Sequence, residues 1–91
     1  MENLAYAQMV NDRNQGPKKF EKILDGFFLL YSCRVKIPSH AIRSKIGGQN
    51  IVDVKEEDLI YFSNLTSLDI SDNNVLLSQL LNLTNLEDLD I

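Results

Sequence analysis

The residues able to do chemistry in this chain are few and scattered. His40 is the single histidine and Cys33 the single cysteine, seven positions apart. A four-ligand zinc site cannot be filled from one of each without carboxylates. Cys33 lies in the apolar run Phe27–Val35, the setting of a buried inert thiol; a nucleophilic thiolate needs an accessible, electropositive one, for which Arg34 is the sole neighbouring candidate. The carboxylates Glu56-Glu57-Asp58 sit beside Lys55 and read as the solvated start of a helix rather than an acid–base pair. Gly47-Gly48-Gln49-Asn50 lacks both a following Lys-Ser/Thr and a G-x-G-x-x-G pattern, so it is a turn and not a phosphate cradle. Asn64-Leu65-Thr66 and Asn82-Leu83-Thr84 match the glycosylation sequon, which matters only for a secreted chain. No nucleophile–base pair or metal constellation can be named. The expectation is a non-enzyme without metal, cofactor or small-molecule substrate.

The elements carrying these residues divide by charge. The chain has 91 residues and a formal net charge of −4. Every Lys and Arg precedes residue 59, whereas residues 59–91 hold Asp69, Asp72, Glu87, Asp88 and Asp90 with no cation. Ten of the 14 leucines fall in that same anionic stretch, so the architecture changes near Asp58. With no positive charge in this half to meet phosphate, nucleic-acid binding is not expected. The longest wholly apolar run, Phe27-Phe28-Leu29-Leu30-Tyr31, is far short of the ~20 residues of a membrane span. Without a basic, apolar leader at Met1–Gln8 no signal peptide is expected, and one cysteine cannot make an internal disulfide. These features suggest an intracellular protein with no membrane attachment.

Residues 1–22 are mostly polar, are interrupted by Gly16-Pro17 and carry a loose basic group, Lys18, Lys19 and Lys22. They read as a flexible leader. Residues 23–40 read as an N-terminal cap segment. Within it Phe27–Val35, rich in aromatic and branched residues before Pro38, suggests a strand or short hairpin, although so short an apolar run also suits a helix.

Sliding the chain by 21 residues superposes Phe62-Ser-Asn-Leu65-Thr-Ser-Leu68-Asp-Ile70 on Leu83-Thr-Asn-Leu86-Glu-Asp-Leu89-Asp-Ile91, with five identities in nine. Continuing past Ile70 gives Leu65-x-x-Leu68-x-Ile70-x-x-Asn73-x-Val75, the pattern L-x-x-L-x-L-x-x-N-x-L. On these residues 41–91 resembles the leucine-rich repeat family. A degenerate first unit lies 24 residues earlier: Ala41-x-x-Ser44-x-Ile46-x-x-Gln49-x-Ile51-x-x-Val54. The resemblance implies an α/β fold, a short solenoid of parallel strands with short helical or irregular return limbs. It would hold one degenerate unit, one complete unit and one that stops at Ile91.

The spacing has physical content. Alternation in Leu68-x-Ile70 sends both side chains inward and Asp69 outward. Leu65 and Val75, and Leu86, Leu89 and Ile91 in the next unit, are the matching core positions. Asn73 is placed to pair backbone groups that an aliphatic side chain would leave unsatisfied. Leu76, Leu77, Leu80, Leu81 and Leu83 suit an inward-facing helical turn, and Asp53-Val-Lys-Glu56 resembles a capping box opening a helix through Leu59 to Phe62.

A second resemblance lies in Leu24-Asp25-Gly26-Phe27-Phe28-Leu29, Gly48-Gln49-Asn50-Ile51 and Val54-Lys55-Glu56-Glu57-Asp58-Leu59. These blocks look like the start of the repeat region in X-ray radiation resistance-associated proteins. That resemblance implies a longer parent protein in cytoplasm and nucleus, without catalytic residues. An open strand edge at Ile91 points the same way, to a fragment of a longer repeat protein.

Stacked parallel strands would align Lys45, Asp69 and Asp90 in one outward row. Arg43, Ser67 and Asp88 would precede it, with Gly47 and Ser71 after. The expected function is protein–protein interaction through this concave face, with Lys45, Ser67, Asp69, Ser71, Asp88 and Asp90 as contacts to a partner of basic surface. The alternative is a purely structural role, as the cap and opening repeats of a larger scaffold.

Overall fold

A computed structural model describes residues 20–91, and the proposed leader lies outside the described residues except for its last three. Among the described residues nine short elements follow one another, and their five strands form two small parallel sheets that do not close into a barrel. Strand β1 (Lys22–Leu24) pairs with β3 (Ile51–Val54), while β2 (Arg43–Lys45), β4 (Ser67–Asp69) and β5 (Asp88–Asp90) form the second sheet in that order. The chain is thus α/β, as expected, with β1 beginning inside the segment read as leader.

Phe27–Val35 is not a strand or hairpin. Helix α1 spans Gly26–Cys33. Asp25 caps its start, Oδ1 accepting from the Phe28 amide at 2.8 Å, and so satisfies a donor that the first turn leaves without a partner. Arg34 ends it in the left-handed conformation (φ 57°), where its N–H turns back to Leu30 and Tyr31 carbonyls and the Val35 N–H to Leu30. This is the left-handed helix exit that satisfies the last carbonyls. The apolar run carries no period of its own, so the cap and the exit decide between helix and strand. Leu29 is wholly buried, and Phe28, Leu30 and Cys33 are partly covered.

The turn Pro38–His40 leads into β2, and α2 (Glu56–Leu59) follows β3. The capping box expected at Asp53 is absent. Asp53 belongs to β3, its Oδ1 accepts from the Val54 amide and from Gln79 Nε2, and the helix starts at Glu56 with no side-chain cap. The helix also stops at Leu59, although Leu59 and Phe62 are both buried.

The core repeats. Ala41, Ser44, Ile46 and Ile51 are buried in one turn of chain, and Leu65, Leu68, Ile70 and Val75 at the matching positions 24 residues on. Leu59 and Phe62 recur as Leu80 and Leu83, also buried, 21 residues on. Backbone bonds recur with them. Thr66 and Ser67 amides donate to the Ile42 carbonyl, and Glu87 and Asp88 amides to Thr66. Ile46 N–H donates to Asp69 O and Ile70 N–H to Asp90 O, at 2.7 and 2.8 Å.

The expected inward helical turn after Val75 is only partly realised. A tight 3-10 turn at Leu77–Leu80 buries Leu80 and Leu83 but leaves Leu76, Leu77 and Leu81 exposed. Three residues per turn cannot keep five leucines on one face. Coverage also thins at the last strand. Leu86 and Leu89 are partly buried and Ile91 is 54% exposed, because β5 is paired on one side alone.

Candidate functional site

The three-stranded sheet positions the outward residues. Its register aligns Arg43, Ser67 and Asp88, then Ser44, Leu68 and Leu89, then Lys45, Asp69 and Asp90. These rows are the ones expected from the spacing of the apolar positions. The middle row faces the core and the flanking rows face out.

Asn73 holds the backbone that leaves β4. Its Oδ1 accepts from the Gln49 and Ile51 amides at 3.0 and 2.9 Å. Its Nδ2 donates to Ile46, Ile70 and Ser71 carbonyls at 2.9–3.1 Å. One side chain therefore ties two successive turns of chain together, as a planar amide with both donors and acceptors can. Four further asparagines among the described residues donate back to an earlier stretch of chain: Asn50 Nδ2 to Phe20 O, Asn64 to Ser39 O, Asn82 to Glu56 O and Asn85 to Ser63 O. The match of Asn64 with Asn85 under the 21-residue shift was the sequence signal for this role.

Asp69 is the most organised group on the face. The Ser71 hydroxyl donates to its Oδ1 at 2.7 Å and the Ser71 amide at 3.1 Å. These two bonds, with a smaller contribution from the Lys45 ammonium, hold the Asp69 carboxyl below its ordinary range against a modest desolvation effect. Gly47 lies alongside, where a Cβ would come 3.1 Å from Ser71 Oγ and 3.3 Å from its carbonyl oxygen. A side chain at Gly47 would displace the group that orients Asp69.

A groove of about 340 Å³ lies on the strand face, lined by residues of β4 and β5 and by Lys45 of β2. Among the described residues Lys45 is the one cation lining it, together with Asp69, Glu87, Asp88 and Asp90. Glu87 was missed by reasoning from sequence, since it precedes the strand and belongs to no outward row. Its acidity next to Asp88 was the available clue. Ser71 does not line this groove; it acts on it through Asp69.

The residues first considered for chemistry stay apart. His40 ends an exposed turn, and the Cys33 thiol donates to the Arg43 carbonyl at 3.2 Å. Asp58 Oδ2 accepts from the Gly26 amide at 2.9 Å, linking α2 to the start of α1. Among the described residues no group of three or more His, Cys, Asp or Glu is placed to hold a metal ion. No helix among them is long and apolar enough to cross a membrane. No protein-family model, curated protein or solved structure matches the chain.

Proposed function

We propose that residues 41–91 are leucine-rich repeats stacked as a short solenoid, and that their strand face docks a partner protein through a basic segment. The observation that carries this reading is the register: carboxylates two residues apart on β5, Asp88 and Asp90, stand beside Ser67 and Asp69 of β4 around one groove. Four acids against one lysine create a negative potential that favours a Lys- or Arg-bearing segment and sets its orientation. The recurrence of buried positions and of inter-turn asparagine bonds supports the repeat reading. On this reading the chain is non-catalytic and intracellular, and the weaker likeness to X-ray radiation resistance-associated proteins favours cytoplasm and nucleus.

The test is charge reversal at Asp69 and Asp90, with far-UV circular dichroism to check folding and quantitative capture of partners from cell extract. Loss of wild-type partners by the folded variant is the expected result, and an unchanged set would remove the docking role.

A structural reading rests on a different observation. Leu24 of β1 and Leu29 of α1 are both 0% exposed, so residues 23–40 close the core beside the first unit. If closure is their whole task, deleting them should abolish cooperative melting while leaving the strand face irrelevant to any partner.

A further inference from the structure

The N-terminal part of the molecule carries a second concavity of opposite chemistry. An open groove of about 1230 Å³ lies beside α1. Its cations are Lys22, Arg34, Lys36 and Lys45. Among the described residues the single carboxylate lining it, Asp25, already accepts from the Phe28 amide. Two aromatic rings on successive turns of α1, Phe27 and Tyr31, line it while remaining 80% and 87% exposed. Spaced by four residues, they lie on one face of the helix. Ile23, 39% exposed, adds aliphatic surface. Large rings left in water next to concentrated charge mark an interaction surface more often than chance exposure does.

We propose that this groove docks an acidic amphipathic peptide segment. Its apolar side chains would cover Ile23, Phe27 and Tyr31, and its carboxylates would meet Arg34, Lys36 and Lys45. The charge of the groove selects the occupant. The chain's own first 19 residues carry Arg13, Lys18 and Lys19 against Glu2 and Asp12, a composition without the surplus of acid that would complement the groove. A long polyanion such as RNA is disfavoured by the −4 charge of the whole chain and the acidic strand face, whereas a short peptide meets the local field alone. This site is independent of the strand-face reading, apart from Lys45, which borders both grooves.

The experiment uses the full chain and a fluorescein-labelled peptide with Leu and Phe at helical spacing and Glu elsewhere. Controls are the same peptide with Lys for Glu and a single-stranded oligouridylate. Anisotropy should show saturable binding of the acidic peptide that weakens as salt rises. The pair Arg34→Asn and Lys36→Glu should weaken it by at least about fivefold. Asn suits the left-handed backbone at position 34, and Tyr31→Ser, at an exposed ring, provides a second variant that leaves the charges in place and should also weaken binding. Glu57→Lys on α2, at a residue that lines neither groove, should leave binding unchanged, and tighter binding by that variant would overturn the placement of the site. No saturation, equal binding of the lysine peptide, tighter binding of the oligouridylate, or indifference to both sets of groove variants would each overturn the proposal.

Discussion

Two successive turns of chain, 41–54 and 65–75, pair their strands in parallel and bury matching positions, but by different means. In the second, Leu65, Leu68 and Ile70 fill the interior and Asn73 pairs the departing backbone. In the first, Ala41 and Ser44 stand where the leucines would be, and Gln49 stands in the asparagine's place. Ser44 is 1% exposed, and its hydroxyl meets Ser32 Oγ of α1 at 2.7 Å. The small side chain leaves room for the helix that covers this turn, and the hydroxyl pair satisfies a polar group that burial would otherwise penalise. Gln49 is exposed, accepting from Lys22 Nζ, because its own backbone is already paired by Asn73 from the following turn. The small residues Ala41 and Ser44 therefore fit a turn packed against α1, whereas Leu65 and Leu68 fill the matching positions of the turn that follows.

The sharpest way to break this comparison is to remove the same position from each turn. Asn73→Leu takes acceptor and donors from two turns at once and should destabilise by roughly 3–5 kcal/mol in chemical denaturation. Gln49→Leu should change stability by no more than about 0.5 kcal/mol. Equal effects would mean that the two positions do the same work.

Restoring the repeat's consensus should do harm where α1 lies. Ser44→Leu overfills the space under the helix and removes one of the Ser32 hydroxyl's partners, leaving its bond to the Leu29 carbonyl, with an expected loss of about 1–3 kcal/mol. A neutral or stabilising result would show that the small residue is not an adaptation to α1. Asp25→Ala removes the helix cap on the same side of the molecule and should lower stability by about 1 kcal/mol, while amide exchange should quicken in α1 before the three-stranded sheet.

The smallest effect concerns pH. Asp69 has its carboxyl lowered by the Ser71 bonds. Its contribution is present above the unfolded carboxylate pKa and is lost as pH falls through the lower folded value. Ser71→Ala should move the Asp69 titration upward in a carbon-detected NMR titration. An unmoved midpoint would remove the Ser71 hydroxyl as its cause, leaving the Ser71 amide.

Much of the strand face was legible because a period of two, repeated at a fixed interval, specifies which side chains share a row. Leu65, Leu68 and Ile70 inside, Asp69 outside, and the alignment of Lys45, Asp69 and Asp90 all follow from that spacing. Asn73 was legible because its chemistry suits a backbone exit. The cap was less so. Phe27–Tyr31 is wholly apolar and Phe27–Val35 has no clear period, so only Asp25, three residues ahead of Phe28, carried a helix signal. Asp53 was misread because its spacing to Glu56 imitates a cap while its backbone is extended in β3.

Sequence alone determined the interior of residues 65–75 and the rows its strands present, since both depend on local alternation and on a repeated interval. The tertiary structure decided the rest: that α1 covers the first turn, that Ser44 pairs with Ser32, and that Lys22, Arg34 and Lys36 border a groove beside α1 while Asp69, Glu87, Asp88 and Asp90 border another on the strand face, with Lys45 at both. Those outcomes depend on which surfaces meet across long stretches of chain, and no local pattern encodes a meeting of that kind.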